Sequence, residues 1–490
     1  MSIKHRLTPI MGWASWNCFH VDVTEQRLKE QADAMVRLGL TDCGYEYINC
    51  DDGFFGGRAE DGTLKFHKER FPNGIKVVAD YIHSLGLKAG IYSDGGNSTC
   101  AYYYDFEGEN GYNVGLYGHE EQDLSMFFEE CGFDFIKVDW CGGIRKCFDD
   151  KEQYTKIAKI IDEIRERQNR EIVFNICRWR FPGEWAVDIC DSWRTGMDIT
   201  CDFKAVVHQL DNVKALKKYC SPGHTNDLDM MEIGNGLTPA EERSHFSMWC
   251  MMSTPLILGC DLTKISGETL EIIKNKEVIA LNQDALCSQG YVIKEYSDDS
   301  GNILGEIWIK NLSDENSKAI AFLNRGDDDL NMSLKLTEAG FMSGAECIRD
   351  LWKHEDIEFD DELNYNVEPH GVVLLKLTGD SPQKTEDVNE NIKLVTDYEY
   401  EENRITKEQA EEIVRNGGVL VDVRSQEEFN EYHLDNAVNL PHNIVFENIN
   451  TVAPTKDIPL IVACRTGKRA DMAKLSLEYL YYDNIYTLVF

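Results

Sequence analysis

The chain has 490 residues, too many for a single hydrophobic core, so several domains are expected. Its net charge of −36 argues against nucleic acid and anionic membranes as partners, and no apolar run is long enough to cross a bilayer. The 16 cysteines form no CxxC pair and no Cys/His cluster at zinc spacing, so no zinc site is expected, and no cofactor is read from the sequence.

From Leu7 to about Gly290, short apolar runs alternate with amphipathic helical stretches. The stretch Glu25–Leu38 is predicted helical: Leu28, Ala32, Met35 and Leu38 share one face, and Gly39 ends it. Strands are predicted at Tyr45–Asn49, Lys88–Ser93, Phe133–Val138, Glu171–Ile176, Ser192–Thr195 and Pro255–Gly259. Repeated strand–helix units over 1–290 predict a (β/α)8 TIM barrel. From 291 to 378 the helical period disappears. Runs such as Ile303–Ile309, Ala319–Leu323 and Gly371–Leu377, separated by Gly and Asp turns, predict an antiparallel β-sandwich. Residues 379–391 (GDSPQKTEDVNEN) are polar and aperiodic and read as a linker. An α/β pattern returns over 392–490, with buried strands at Gly418–Arg424 and Pro459–Cys464.

Barrel chemistry sits where strands end. Here carboxylates punctuate those ends: Asp51 and Asp52, Asp139, Asp198 and Asp229. Any one alone reads as a helix cap. Gathered at one barrel mouth with Trp16, Tyr92 and Lys137, they suit a sugar, whose hydroxyls bond to charged groups and whose apolar face lies on a ring. Lys137 and Asp139 are two apart in a strand and share a face, so the lysine charge should favour an ionised Asp139. Asp198 follows Arg194 by four residues. As a general acid it would need a partly apolar pocket to keep its proton.

The run from Ile10 to about Leu377 resembles glycoside hydrolase family 27, the α-galactosidase and α-N-acetylgalactosaminidase family. The matching stretches, in order, are Met11–Trp16, Cys50–Gly53, Gly90–Asn97, Lys137–Cys141, Trp193-Arg194 with Asp198, Asn226–Met230 and Leu281–Asp284. The resemblance implies a retaining glycosidase that takes an oligosaccharide or glycoside substrate. Asp139 would be the nucleophile and Asp198 the acid/base. Trp16, Asp51, Asp52, Tyr92, Lys137, Cys177, Arg178, Arg194 and Asp229 would bind the sugar. One departure stands out: where the family carries Cys-Glu-Trp, this chain has Cys177-Arg178-Trp179. That leaves galactose, N-acetylgalactosamine and β-L-arabinopyranose open as the sugar. Arg178 either reads the 2-position or turns away to pair with an acidic loop. Cys100 with Cys141, and Cys177 with Cys190, match positions that are disulfide-bonded in secreted relatives. The N-terminus reads without a secretory signal, so a cytoplasmic address and reduced thiols are expected.

In the last fifth, Cys464-Arg465-Thr466-Gly467-Lys468-Arg469 follows a strand and opens a helix near Arg469. Backbone N–H groups, a helix N-terminus and three cations would favour a thiolate. With Val421–Arg424, Glu428-Phe429 and His433–Pro441, this stretch resembles a rhodanese domain, though Tyr432 stands where that family has glycine. The resemblance implies a persulfide on Cys464 and a small sulfur donor as partner. A cysteine phosphatase would need a loop one residue longer. The competing readings for the whole chain are a sugar-binding barrel without catalysis and a sulfurtransferase with an inactive barrel. Retention of both Asp139 and Asp198 argues against the first.

Overall fold

The structure, a computed structural model, describes residues 6–105, 107–146, 148–390, 392, 404–442, 444–456, 458–465, 467–478, 480, 482 and 484–490. Eight parallel strands form the first unit: Met11–Ala14 (β1), Tyr47–Asn49 (β2), Lys88–Asp94 (β3), Phe135–Asp139 (β4), Val173–Ile176 (β5), Ser192–Arg194 (β6), Thr225–Asp227 (β7) and Leu256–Leu258 (β8). They run in spatial order β8-β1-β2-β3-β4-β5-β6-β7. A parallel bridge between Met231 and Leu258 joins the β7 end back to β8 and closes the barrel. Trp13, Tyr47, Ile91, Ile136, Phe174 and Trp193 are buried along these strands, as expected when helices cover the outside and side chains fill the inside. The helix predicted from Glu25 spans Glu25–Arg37, and the Thr24 side chain accepts from Arg27 N to cap it.

An antiparallel sheet follows, ordered Tyr291–Ser297, Ile303–Asn311, Ser317–Asn324, Val372–Thr378, Cys347–Asp350 and Glu355–Asp356. A two-stranded ribbon, Leu330–Lys335 with Glu362–Val367, packs on it around Ile320, Phe322, Met332, Leu334 and Leu375. The C-terminal unit is a parallel four-stranded sheet, ordered Ala437–Asn439, Val419–Asp422, Leu460–Cys464 and Ile485–Val489.

The polar segment after Thr378 is docked, where its composition predicts a free linker. Lys318 donates to the Gln383 carbonyl at 2.6 Å, Tyr291 meets Thr385 at 2.6 Å, Lys217 pairs with Asp387 at 2.5 Å, and Val388 N donates to Val292 O at 3.0 Å. The groups that hold it come from the barrel and the sandwich, so composition alone cannot reveal them.

Inside the helix Pro239–Met252, His245 is buried and stacked on Trp249 at 4.1 Å. Neither ring nitrogen finds a hydrogen-bond partner among the described residues, and burial pushes its pKa down to about 3. An unpaired buried polar group costs about 1–3 kcal/mol. Replacing the ring with the similarly sized His245→Phe should therefore raise the unfolding temperature by about 2 °C or more. A lower unfolding temperature in calorimetry would mean that the imidazole is satisfied.

Candidate active site

The candidate residues converge at the C-terminal ends of the barrel strands. Asp139 ends β4, in register with Asp94 at the end of β3, while Tyr92 pairs with Lys137 two residues earlier. Lys137 Nζ lies 3.0 Å from Asp51 Oδ2 and 3.9 Å from Asp139 Oδ2. It also sits over the Tyr92 ring at 5.4 Å. Burial works against the ammonium charge, but Asp51, Cys177 and Asp139 hold its pKa well above the ordinary value.

Arg194, which is buried, organises the other side. Its Nη2 contacts Asp198 Oδ1 at 3.0 Å and Asp229 Oδ2 at 2.8 Å, and its Nη1 donates to Cys177 Sγ at 3.7 Å. Asp229 also accepts from Ile199 N at 2.9 Å and Met230 N at 2.7 Å. Its φ of 82° lies in the left-handed region, a strained conformation for a residue with a side chain. Cys177 links the two sides: its thiol also lies beside Asp139 and works to lower that carboxyl's pKa.

Burial dominates the carboxylates. Asp139 is pushed up to about 6, with Lys137 opposing and the charges of Asp198 and Asp51 adding to the rise. The lysine thus acts in the direction expected from sequence, but desolvation outweighs it. Burial lifts Asp52 to about 7 although Ala101 N and Gly53 N donate to it, and it lifts Asp229 to about 7 against the pull of Arg194. Asp198 differs. Its side chain is 45% exposed and rests on Arg194, so it stands at the open rim with no apolar pocket around it. Trp16, half-buried, meets the His20 ring edge-on at 5.2 Å. Below the rim a cavity of about 40 Å³ is lined by Asp51, Lys137, Asn175, Arg194, Asp227 and Asp229.

The guanidinium of Arg178 is ion-paired with Asp150, at the start of the helix Asp150–Gln168. Cys177 and Cys190 are free buried thiols. Cys100 and Cys141 are joined as a disulfide with 5.3 Å between their Cα atoms, which corrects the expectation of reduced thiols. The loop after β3 and the helix after Asp139 bring these residues within bridging range.

Sequence reasoning missed three contributors. Asp94 is fully buried, with Gly96 N and Gly142 N donating to it, and burial plus the charge of Asp139 hold its pKa well above the carboxylate range. Asn175 bonds to Asp227 at 2.8 Å. The Tyr154 hydroxyl donates to the Val138 and Asp139 carbonyls at 3.1 and 3.2 Å and so fixes the end of β4. Asp94 could have been found from its place at a strand end. The other two act from positions without a local signal.

In the C-terminal unit, Cys464 ends its strand, is buried, and accepts from Ala470 N at 3.3 Å. The following helix begins at Lys468, one residue before the expected start. Arg469 is held by Glu428 through contacts of 2.5 and 2.8 Å, and that pairing lowers the Glu428 pKa to about 2. Arg465 is exposed. Thr466 and the Lys468 side chain lie outside the described residues.

The family profile described as Alpha galactosidase A matches residues 8–284. The Alpha galactosidase C-terminal beta sandwich domain matches 305–377, and the Rhodanese-like domain matches 406–489. Alpha-galactosidase A of Cellvibrio japonicus is 40% identical over 395 residues, covering 76% of this chain and 92% of its own. Alpha-galactosidase 2 of Arabidopsis thaliana is 38% identical over 379 residues, covering 76% and 90%. Among solved structures, alpha-galactosidase I from Mortierella vinacea superposes with a TM-score of 0.69 at 30% identity, covering 78% of this chain and 100% of its own.

Proposed function

Because the chain belongs to the alpha-galactosidase A family, we propose that its barrel hydrolyses terminal α-linked galactose from oligosaccharides or glycosides with net retention, through Asp139 as nucleophile and Asp198 as acid/base. The observation that carries the reading is that these two carboxyls stand together at the barrel mouth. Asp139 is buried, with Lys137 and the Cys177 thiol beside it, while Asp198 is half-open on Arg194. The pattern of burial is the reverse of one in which the acid is the desolvated carboxyl, so the two roles follow the family match and the bound sugar has to supply the burial of Asp198. In this reading Asp139 attacks the anomeric carbon, the C–O bond breaks, and Asp198 gives its proton to the leaving oxygen. A water then delivers its proton back to Asp198 and releases the sugar. The bound sugar covers Asp198 and supplies the apolar surroundings that the open rim lacks. Lys137, Asp51, Asp52, Tyr92, Arg194, Asp229 and Trp16 hold the ring. The pairing of Arg178 with Asp150 supports the reading in which Arg178 turns away to an acidic partner and does not read the 2-position. The direct test follows the product anomer by NMR during hydrolysis of a nitrophenyl α-galactoside: α-galactose should form first, and initial β-galactose would overturn the mechanism.

The nucleophile must be ionised. With its pKa near 6, Asp139 loses its charge as pH falls through that value, so kcat/KM should drop about tenfold per unit below pH 6. Lys137 lowers the Asp139 pKa, so Lys137→Met should move this acid limb to higher pH. A limb that stays in place would remove Lys137 from the electrostatics of the nucleophile.

For the C-terminal domain, the Cys464 loop at a strand end and helix start supports a sulfurtransferase. The Cys464 thiolate attacks the outer sulfur of thiosulfate, an S–S bond forms, and sulfite leaves. Cyanide or a thiol then takes the outer sulfur and restores the thiolate.

A further inference from the structure

The loops after β2 and β3 carry more than the catalytic carboxylates. After Asp52 the chain makes a hairpin, Phe55–Arg58 paired with Leu64–Phe66. After Asp94 it makes a long loop that returns at His119. Arg58, almost fully buried, locks the two together. Its Nε donates to Asn113 O at 2.8 Å and its Nη2 to Gly115 O at 2.9 Å, and both terminal nitrogens bond to Asp123. Ala101 N donates to Asp52 Oδ2 at 2.9 Å, so the same loop is tied to the sugar-site carboxylates.

Between hairpin and loop lies an open groove of about 1190 Å³. That exceeds the roughly 300–1,000 Å³ of a small-molecule pocket and suits a chain of units. Its rim carries Tyr112, 55% exposed, backed by the Tyr102 ring at 5.4 Å. Lys65, Lys68, Glu69 and Glu109 also line it, and none of these has an ion-pair partner among the described residues. An exposed ring flanked by both signs of unpaired charge matches a neutral polyhydroxylated ligand, whose C–H face lies on the ring while its hydroxyls bond to the charges. A strongly charged ligand would meet like charge on one side or the other.

We propose that this groove binds the non-reacting part of a galactose-bearing oligosaccharide or polysaccharide and holds it beside the barrel mouth. The proposal rests on the glycosidase reading, since it is the substrate of the barrel that occupies the groove. Tyr112 belongs to the groove and makes no contact at the catalytic carboxylates, so it separates the two sites.

The test uses full-length protein, a galactose-substituted mannan as polymer and a nitrophenyl α-galactoside as small substrate. Polymer binding is read by retardation in a native gel cast with the mannan, in an Asp139→Ala background, so binding is scored without turnover. Tyr112→Ala should weaken this binding about fivefold or more, and Tyr112→Phe, which keeps the ring, should restore it. In the otherwise unchanged enzyme, Tyr112→Ala should raise KM for the polymer by a similar factor and leave kcat/KM for the small substrate within twofold. Unchanged polymer binding in Tyr112→Ala overturns the proposal. So does an equal loss on both substrates, which would place Tyr112 in the catalytic site or the folding core. Absence of any α-galactoside hydrolysis in the unchanged enzyme would instead sink the glycosidase reading, and the gel would still report on the groove.

Discussion

Asp139→Ala is expected to lower turnover of a nitrophenyl α-galactoside by roughly 10⁴-fold or more, because no other group in the mouth can replace the nucleophile. Asp94, its partner across the strand register, is buried and both its oxygens already accept from backbone N–H groups of Gly96 and Gly142. Asp51 is engaged by Lys137, and Asp229 by Arg194. Loss of Asp198 should look different. Asp198→Ala leaves Asp139 able to attack, so a glycoside with a good leaving group should still form the covalent sugar–enzyme species and then stall. An unactivated disaccharide should lose about 10²–10⁴-fold. Intact-protein mass spectrometry of Asp198→Ala should detect the added hexose, and digestion should place it on the peptide containing Asp139. A label on any other residue would overturn the assignment of roles.

The parts of this site that sequence could reveal are those with local causes. Strand ends followed by Asp can be read because chemistry at a barrel mouth is confined to them, and Lys137 beside Asp139 follows from the two-residue repeat of a strand. The strands Met11–Ala14 and Thr225–Asp227 carry no such pattern. Gly12 interrupts the first, and two of the three residues of the second, Asn226 and Asp227, are poor strand formers. What sequence misses depends on distant partners. The Asp139 pKa is set by burial from the whole barrel, which reverses the shift expected from Lys137 alone. The Arg178–Asp150 pair joins residues 28 apart in the chain, so which acidic residue Arg178 meets is decided only by the fold. The segment after Thr378 reads as free because its anchors, Lys217, Tyr291 and Lys318, lie in other units.

Cys464→Ser should abolish sulfur transfer from thiosulfate to cyanide and leave α-galactoside hydrolysis within twofold. The thiolate is the nucleophile in the first reaction, and serine at neutral pH offers no comparable one. The groups that serve it, Ala470 N and the Arg469–Glu428 pair, all belong to the C-terminal unit. The docked segment decides where the chain can be cut. A fragment ending near Thr378 loses Gln383, Thr385 and Asp387, and with them the partners of Lys318, Tyr291 and Lys217. Burial has already pushed the Lys318 pKa down to about 8, and its loss of the Gln383 carbonyl leaves an ammonium short of an acceptor. A fragment ending at Glu390 keeps all three contacts. It should match the full chain in both α-galactoside turnover and unfolding temperature, whereas the shorter fragment should unfold several degrees lower while retaining its kcat. Equal unfolding temperatures for the two fragments would show that the segment adds no stability. A loss of turnover beyond a few-fold in the Glu390 fragment, or in Cys464→Ser, would show that the C-terminal unit acts on the barrel mouth, and the two activities could no longer be treated as independent.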